Sequence, residues 1–178
     1  VMQIYNQTKS YLKNPQPVSD NLLYGEFHEN SKHTTRMPYM KPVYDVLEKN
    51  RGKVIYFDFW ARWCPPCLAE MEPLKQLRSK FSTDDLIIYS ICVSEPKEQW
   101  EECLNEYSLK NRGIECVHVT DYLGIDNYQK IRKQWKIDRM PYYVLINRKG
   151  QIIDFGTAAR PSNPQLVSRI EEAVKDTK

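Results

Sequence analysis

One stretch of the chain joins a continuous apolar run to a closely spaced cysteine pair: Val54-Ile55-Tyr56-Phe57-Asp58-Phe59-Trp60-Ala61-Arg62-Trp63-Cys64-Pro65-Pro66-Cys67. The run from Val54 to Trp60 contains one charged side chain, Asp58, which is typical of a β-strand buried on both faces of a sheet. Two cysteines separated by two residues can serve redox catalysis, a structural disulfide or metal binding. The surrounding residues must decide between these uses.

A helix is predicted to begin at the cysteine pair and to continue to about Lys80, with a kink near Pro73. A cysteine at the N-cap of a helix lies beside backbone N–H groups that have no intrahelical partner, at the positive end of the helix dipole. Both effects favour the thiolate. We therefore expect Cys64 to be the attacking nucleophile and Cys67, one turn later, to be the resolving thiol, so that the two form a redox-active disulfide.

The two prolines between the cysteines limit the stabilisation of that thiolate. Neither Pro65 nor Pro66 has an N–H, so the amide of Cys67 is the first helical donor left near the Cys64 sulfur. We expect a Cys64 pKa near ~7 rather than near ~3.5, which is typical of a reductant.

Asp58 is a candidate proton acceptor. A carboxylate in an apolar strand costs free energy unless it is neutral, hydrogen-bonded or used in catalysis, and burial raises its pKa. A partly protonated carboxyl below Cys67 could accept the proton of that thiol as its sulfur attacks. The alternative is a surface-facing Asp58 bonded to the backbone.

The rest of the chain predicts an α/β fold with a mixed β-sheet and helices on both faces. Residues 1–36 are polar and aperiodic and are interpreted as an N-terminal extension with one short strand at Leu22-Leu23-Tyr24, and residues 37–178 as a single domain. Ser94 is predicted to cap a helix that has Pro96 in its first turn. Further strands are predicted at 86–93 and 114–119, and two more at 142–146 and 151–155 form a hairpin around the turn Asn147-Arg148-Lys149-Gly150.

Composition excludes several classes of protein. The 26 basic and 23 acidic residues give a net charge of +3 and are scattered, so a nucleic-acid partner is not expected. No apolar stretch approaches the roughly 20 residues of a membrane span. The sequence from Val1 shows no signal-peptide pattern, so we expect that any export signal or lipid anchor was removed or never present.

Metal binding is the main non-enzymatic alternative. Thiolates of a CxxC pair ligate zinc or copper, and His28 and His33 could add ligands, whereas His118 lies in a predicted strand and is interpreted as packed. A second CxxC or an HxxxH at suitable spacing is missing, so we expect no metal and no cofactor other than the disulfide. The remaining cysteines, Cys92, Cys103 and Cys116, are interpreted as buried thiols. A peroxidase is disfavoured because its single activated cysteine would not need a partner three residues later, at the start of a helix.

The chain resembles the thioredoxin superfamily, and within it the TlpA/ResA-like branch of bacterial thiol-disulfide oxidoreductases, from about Met40 to the C-terminus. The resemblance rests on Gly52-Lys53-Val54, on the segment from Asp58 to Cys67, on Glu70 and Pro73, on Met140-Pro141-Tyr142-Tyr143-Val144-Leu145-Ile146, and on Ala159-Arg160-Pro161-Ser162. It implies a thioredoxin-like fold with a central βα insertion between about Pro96 and Val119. It also implies that Pro141 is a cis-proline that faces the disulfide.

The same resemblance implies a function. We expect a protein-disulfide oxidoreductase of the bacterial cell envelope or periplasm that reduces protein disulfides and receives electrons from an upstream donor. Cytochrome c maturation is one family role, and a disulfide oxidant or isomerase is the alternative direction of electron flow. Catalytic roles fall on Cys64, Cys67, Asp58 and Pro141. The expected substrate contacts are Trp63, Pro65, Pro66 and Met140.

Overall fold

The computed structural model describes residues 38–94 and 96–176, together with the backbone of Gln16 and Pro17. The strands are β1 (Gln16–Pro17), β2 (Val54–Trp60), β3 (Leu86–Cys92), β4 (Ile114–His118), β5 (Tyr142–Ile146) and β6 (Gln151–Gly156). The helices are α1 (Lys41–Lys49), α2 (Pro65–Ala69), α3 (Met71–Lys80), α4 (Lys97–Glu106), α5 (Val119–Tyr122), α6 (Ile125–Gln134) and α7 (Pro164–Lys175), and a 3₁₀ turn (Pro38–Met40) precedes α1. None of the described helices is long and apolar enough to cross a bilayer.

The sheet is mixed, as the sequence predicts, and its strands lie in the order β1-β6-β5-β2-β3-β4. Strand β2 pairs with β3 in parallel and with β5 in antiparallel orientation. β3 pairs with β4 in parallel, while β5 and β6 form an antiparallel hairpin. β2 is therefore a central strand, and all seven of its residues are buried.

Alternate residues of β2 face two different layers of helices, as the side-chain period of a strand requires. On one face, Phe57 and Phe59 pack in a cluster with residues of α1 and α6. On the other face, Tyr56 packs with α3 and α7, and Trp60 packs with the cysteine pair and Met71. The predicted fold class, an α/β sheet covered on both faces, is confirmed.

The predicted kink near Pro73 is wrong in position. The helix breaks at Glu70, three residues earlier, so that α2 and α3 are separate helices. A proline ring clashes with the carbonyl four residues before it, and here that residue is Ala69, at the end of α2. Pro73 is then the third residue of α3, where an N–H would have no intrahelical partner in any case.

The helix cap predicted at Ser94 is also wrong. The N-cap residue of α4 is Pro96, whose side chain has no hydrogen-bond acceptor. The Ser94 hydroxyl instead accepts a hydrogen bond from the Arg62 amide at 3.1 Å. Helix α4 and strand β4 lie where the central insertion was predicted. The strand predicted at Leu22-Leu23-Tyr24 lies outside the described residues, and the domain boundary after residue 36 stays a prediction.

We expect Leu74→Ala to lower the free energy of unfolding by about 2–5 kcal/mol, because Leu74 of α3 is 1% exposed and packs against the sheet. Urea unfolding followed by circular dichroism measures this loss. The neighbouring Gln76→Ala, at an exposed position of the same helix, is the control and changes the value by less than about 0.5 kcal/mol. Equal effects of the two variants would contradict the packing of α3 described here.

Candidate active site

The cysteine pair lies at the start of α2, directly after the loop that leaves β2. Cys64 is the N-cap residue, and its sulfur accepts a hydrogen bond from the Cys67 amide at 3.2 Å. Pro65 and Pro66 fill the first two helical positions. The expectation that Cys67 supplies the amide nearest to the sulfur is confirmed, and the prolines add no donor of their own.

Cys64 and Cys67 form a disulfide, with an S–S distance of 2.15 Å and Cα atoms 5.3 Å apart. Cys64 is 4% exposed and Cys67 is 1% exposed, and both belong to a buried cluster that includes Trp60 and Met71. The structure therefore shows the oxidised form of the pair. Because Cys64 precedes the helix and Cys67 lies inside it, the two sulfurs are not equivalent.

The loop between β2 and α2 is tied to the neighbouring strands. Beyond the bond from the Arg62 amide to Ser94, the Val93 amide donates to the Trp60 carbonyl at 2.8 Å. The imidazole Nε2 of His118, at the end of β4, lies 2.8 Å from the Ser94 carbonyl oxygen. These contacts hold the segment that precedes Cys64 against the ends of β3 and β4.

Asp58 is 4% exposed, so the surface-facing alternative for this residue is wrong. Its Oδ2 accepts a hydrogen bond from the Ser90 hydroxyl at 2.9 Å. Burial raises the pKa of Asp58 to about 7, against an opposing effect of the Ser90 hydrogen bond and with a further increase from the Glu70 carboxylate. The carboxyl is therefore divided between its neutral and ionised forms near neutral pH.

The position of Asp58 in its strand shows which side of the sheet its carboxyl faces. Side chains alternate along a strand, so Asp58 shares a face with Tyr56 and Trp60. Trp60 packs in the cluster that contains Cys67. The carboxyl thus lies on the side of the sheet that carries the disulfide.

The Met140–Pro141 peptide bond is cis, as the resemblance implies. Pro141 is buried, and Met140 is half-buried and packs against the cluster that contains both cysteines. Trp63 is 69% exposed, beside Cys64, and Pro65 and Pro66 are also exposed. The structure thus packs Met140, which directly precedes β5, against the cluster of the cysteine pair, and places exposed apolar residues on both sides of Cys64 in the chain.

The remaining cysteines only partly match their interpretation as buried thiols. Cys92 and Cys103 are buried, but Cys116 is half-buried, on β4, the last strand in the order of the described sheet. Burial raises the pKa of all three thiols, and that of Cys116 to about 12. At neutral pH they are therefore protonated and poor nucleophiles.

The described residues were expected to hold no metal ion, and the positions of their His, Cys, Asp and Glu side chains bear on this expectation. Over residues 38–94 and 96–176, no group of three or more His, Cys, Asp or Glu side chains is placed to bind an ion. His118 is packed, as predicted: it is 1% exposed and both ring nitrogens have hydrogen-bonding partners. His28 and His33 lie outside the described residues.

Sequence reasoning missed three polar residues around the site. Ser90 binds Asp58, Ser94 holds the loop, and Ser162 donates to both carboxylate oxygens of Glu70, from its hydroxyl at 2.6 Å and its amide at 2.8 Å. Ser90 had a detectable signal, because it interrupts an apolar strand as Asp58 does. The other two depend on contacts between distant segments.

The chain is similar to known thiol-disulfide oxidoreductases. The thiol-disulfide oxidoreductase ResA of Bacillus thuringiensis is 26% identical over 108 residues, which cover 61% of this chain and 57% of that protein. The chain thus matches little more than half the length of this relative.

Solved structures show the same fold. A thiol:disulfide interchange protein from a Bacteroides species superposes with a TM-score of 0.60 at 22% identity, over 74% of this chain and 80% of the other. A Bacteroides vulgatus protein, described as a candidate thiol-disulfide oxidoreductase, superposes with a TM-score of 0.56 at 32% identity, over 71% and 76% of the two chains. The Redoxin family model matches residues 41–174, most of the chain. The chain therefore belongs to the Redoxin family, in a TlpA/ResA-like form of the thioredoxin superfamily.

Proposed function

We propose that this protein is a thiol-disulfide oxidoreductase that reduces disulfides in protein partners. The observation that carries the proposal is the Cys64–Cys67 disulfide at the N-terminus of a helix, on the same side of the sheet as the buried Asp58. The names of the similar proteins from Bacillus and Bacteroides support the same chemistry.

The reaction begins with the reduced pair. The Cys64 thiolate attacks a disulfide of the partner, forming a mixed disulfide, and the second sulfur of the partner leaves with the electron pair of the broken S–S bond. Cys67 then loses its proton to Asp58 and attacks the Cys64 sulfur. The Cys64–Cys67 disulfide forms, the partner leaves as a dithiol, and two electrons have passed to it. A separate donor must supply two electrons to restore the reduced pair.

In this proposal, the residues around Cys64 contact the partner protein. The exposed indole of Trp63 offers a large amphipathic surface directly beside the nucleophile, and such aromatics contribute strongly to binding. Pro65 and Pro66 extend this surface, and Met140 and Pro141 border it from the segment directly before β5. We assign substrate binding to Trp63, Pro65, Pro66 and Met140, and the shaping of the groove to Pro141.

We also infer that the protein works in the bacterial cell envelope or periplasm, as its resemblance to the TlpA/ResA-like branch implies. Disulfides persist in such oxidising compartments, so a dedicated reductant has substrates there. Its partners are then proteins with disulfides. They are either proteins of cytochrome c maturation or the various substrates of general disulfide reduction. Fractionation of cells and detection of the protein outside the cytoplasm test this location.

The two cysteines have different expected phenotypes. Cys64→Ala removes the nucleophile and abolishes reduction of insulin disulfides, because Cys67 is buried inside α2 and burial keeps the thiols of Cys92, Cys103 and Cys116 protonated. Cys67→Ala leaves the attack intact but blocks release, so mixed disulfides with partners accumulate. Non-reducing electrophoresis and mass spectrometry of the Cys67→Ala protein from cells measure this accumulation.

Cys116→Ser is the matched control for these variants, since it removes a half-buried thiol outside the proposed pair. We expect it to retain insulin reduction. Insulin reduction by Cys64→Ala at the wild-type rate would contradict the proposal. So would a Cys67→Ala protein whose trapped adducts persist when Cys64 is also replaced.

Asp58→Asn is expected to stabilise the fold at alkaline pH. The carboxyl has a pKa of about 7 in the folded protein and 3.8 when unperturbed, so ionisation favours the unfolded chain as pH rises between these values. The difference corresponds to an upper bound of about 4 kcal/mol. Removing the charge therefore raises the free energy of unfolding most above pH 7 and least near pH 4.

Urea unfolding of both proteins at a series of pH values measures this difference. Ser168→Ala, at an exposed position of α7, is the control: it removes no ionisable group and gives no such rise with pH. A difference between Asp58→Asn and wild type that stays constant from pH 4 to pH 8 would contradict the buried carboxyl as described.

A further inference from the structure

The Asp58 carboxyl has a dedicated hydrogen-bonding partner on the adjacent strand. Ser90 of β3 is aligned with Asp58 of β2 in the parallel ladder, so the two side chains emerge on the same face of the sheet. Ser90 is 0% exposed, and its hydroxyl donates to Oδ2 of Asp58 at 2.9 Å. At this burial the bond to Asp58 replaces the water that a surface hydroxyl would use.

The same register places other polar groups in the row, but none of them takes the place of Ser90. Tyr143 of β5 is aligned with Asp58, and Cys116 of β4 is aligned with Ser90. The buried Tyr143 hydroxyl hydrogen-bonds to none of the described residues, and its ring stacks on Tyr56. Ser90 is thus the member of this row that donates to the carboxyl.

The charges around Asp58 oppose its ionisation. The negative charge of Glu70, at the break between α2 and α3, raises the pKa of Asp58. The Glu70 carboxylate itself accepts two hydrogen bonds from Ser162 and lies 4.0 Å from Nε of Arg160. The other titratable groups whose fields reach it are Tyr56 on its own strand, Tyr143 on β5, Cys92 on β3 and Cys116 on β4. Burial raises the pKa of each of these, so they are neutral near pH 7. The Ser90 hydrogen bond acts in the other direction and lowers the pKa of Asp58.

We propose that Ser90 is a positioning residue of the redox site, which holds the Asp58 carboxyl in the orientation and charge state that proton transfer from Cys67 requires. This inference rests on the proposed oxidoreductase function and deepens it. In the resolving step the S–H bond of Cys67 breaks and its proton passes to the Asp58 carboxylate, at Oδ1, the oxygen that does not accept the Ser90 hydrogen bond. The electron pair left on the Cys67 sulfur forms the bond to Cys64, and the partner sulfur leaves with the electrons of the mixed disulfide.

The test measures the resolving step and the carboxyl separately. The reduced protein reacts with 5,5′-dithiobis(2-nitrobenzoate), which places one thionitrobenzoate on Cys64, and release of the second one by Cys67 is followed by its visible absorbance. The carboxyl of Asp58 is followed by its ¹³C chemical shift as pH changes. Both readouts are taken on the whole chain.

Ser90→Ala is expected to raise the pKa of Asp58 by about one pH unit, since it removes a hydrogen bond to a charged group. The ionised fraction well below pH 7 then falls about tenfold, and the rate of the second release falls with it. The loss shrinks towards alkaline pH, where the carboxylate forms in both proteins. Ser168→Ala, an exposed serine of α7, is the control and moves neither readout.

Ser90→Thr and Ser90→Val form a matched pair of variants, since Thr carries a hydroxyl group where Val carries a methyl group. Thr is expected to retain the wild-type pKa and pH profile, and Val to behave as Ala does. This comparison separates the hydrogen bond from any effect of volume on folding. An equal loss of rate at every pH, with the pKa of Asp58 unchanged in Ser90→Ala, overturns the inference.

The outcomes also separate this inference from the proposed function. If the wild-type protein releases no second thionitrobenzoate, the oxidoreductase proposal fails, while the ¹³C titration still reports whether Ser90 lowers the pKa of Asp58. If wild type and Ser90→Ala release it with the same pH profile, the role of Ser90 fails and the oxidoreductase proposal stands.

Discussion

The burial of strand β2 on both faces is the constraint on which the rest of the molecule depends. β2 hydrogen-bonds to β3 on one side and to β5 on the other, and every residue in it is buried. Its end therefore fixes where the loop to Cys64 leaves the sheet, and its alternation fixes which side chains lie beneath the cysteines. A shift of register by one residue would turn Asp58 to the opposite face.

The burial of β2 also explains why the ionised carboxyl of Asp58 lowers the stability of the fold. A carboxyl between Tyr56 and Trp60 in a buried strand opposes folding when it is ionised, and apolar side chains would pack there without this penalty. The penalty is what moves the pKa of Asp58 into the range where it can accept and return a proton near neutral pH. The burial that suits Asp58 to proton transfer therefore lowers the stability of the fold when the carboxyl is ionised. The Ser90 hydrogen bond reduces this loss because it stabilises the ionised form.

Features encoded within a few neighbouring residues could be predicted from the sequence. The bounds of β2, the N-cap position of Cys64 and the hairpin of β5 and β6 follow from local apolar patterns, prolines and turn residues, and the structure agrees with them. The kink predicted near Pro73 lies three residues after the observed break at Glu70, because a proline clashes with the carbonyl four residues before it rather than bending the helix at its own position. Contacts such as Ser90 with Asp58, 32 residues apart, depend on strand register, which no local pattern specifies.

The central claim is that the cysteine pair at the start of α2 is a dithiol reductant. Its Cys64 sulfur accepts a hydrogen bond from one helical amide, that of Cys67, because Pro65 and Pro66 have no N–H to donate. The reduction potential of Cys64/Cys67 tests it most directly, by equilibration in graded thiol/disulfide buffers with Cys64→Ala as the control. The account predicts a reversible two-electron transition at or below about −250 mV. A transition near −120 to −180 mV would contradict it and indicate an oxidant or isomerase. The absence of any reversible transition would contradict redox catalysis altogether.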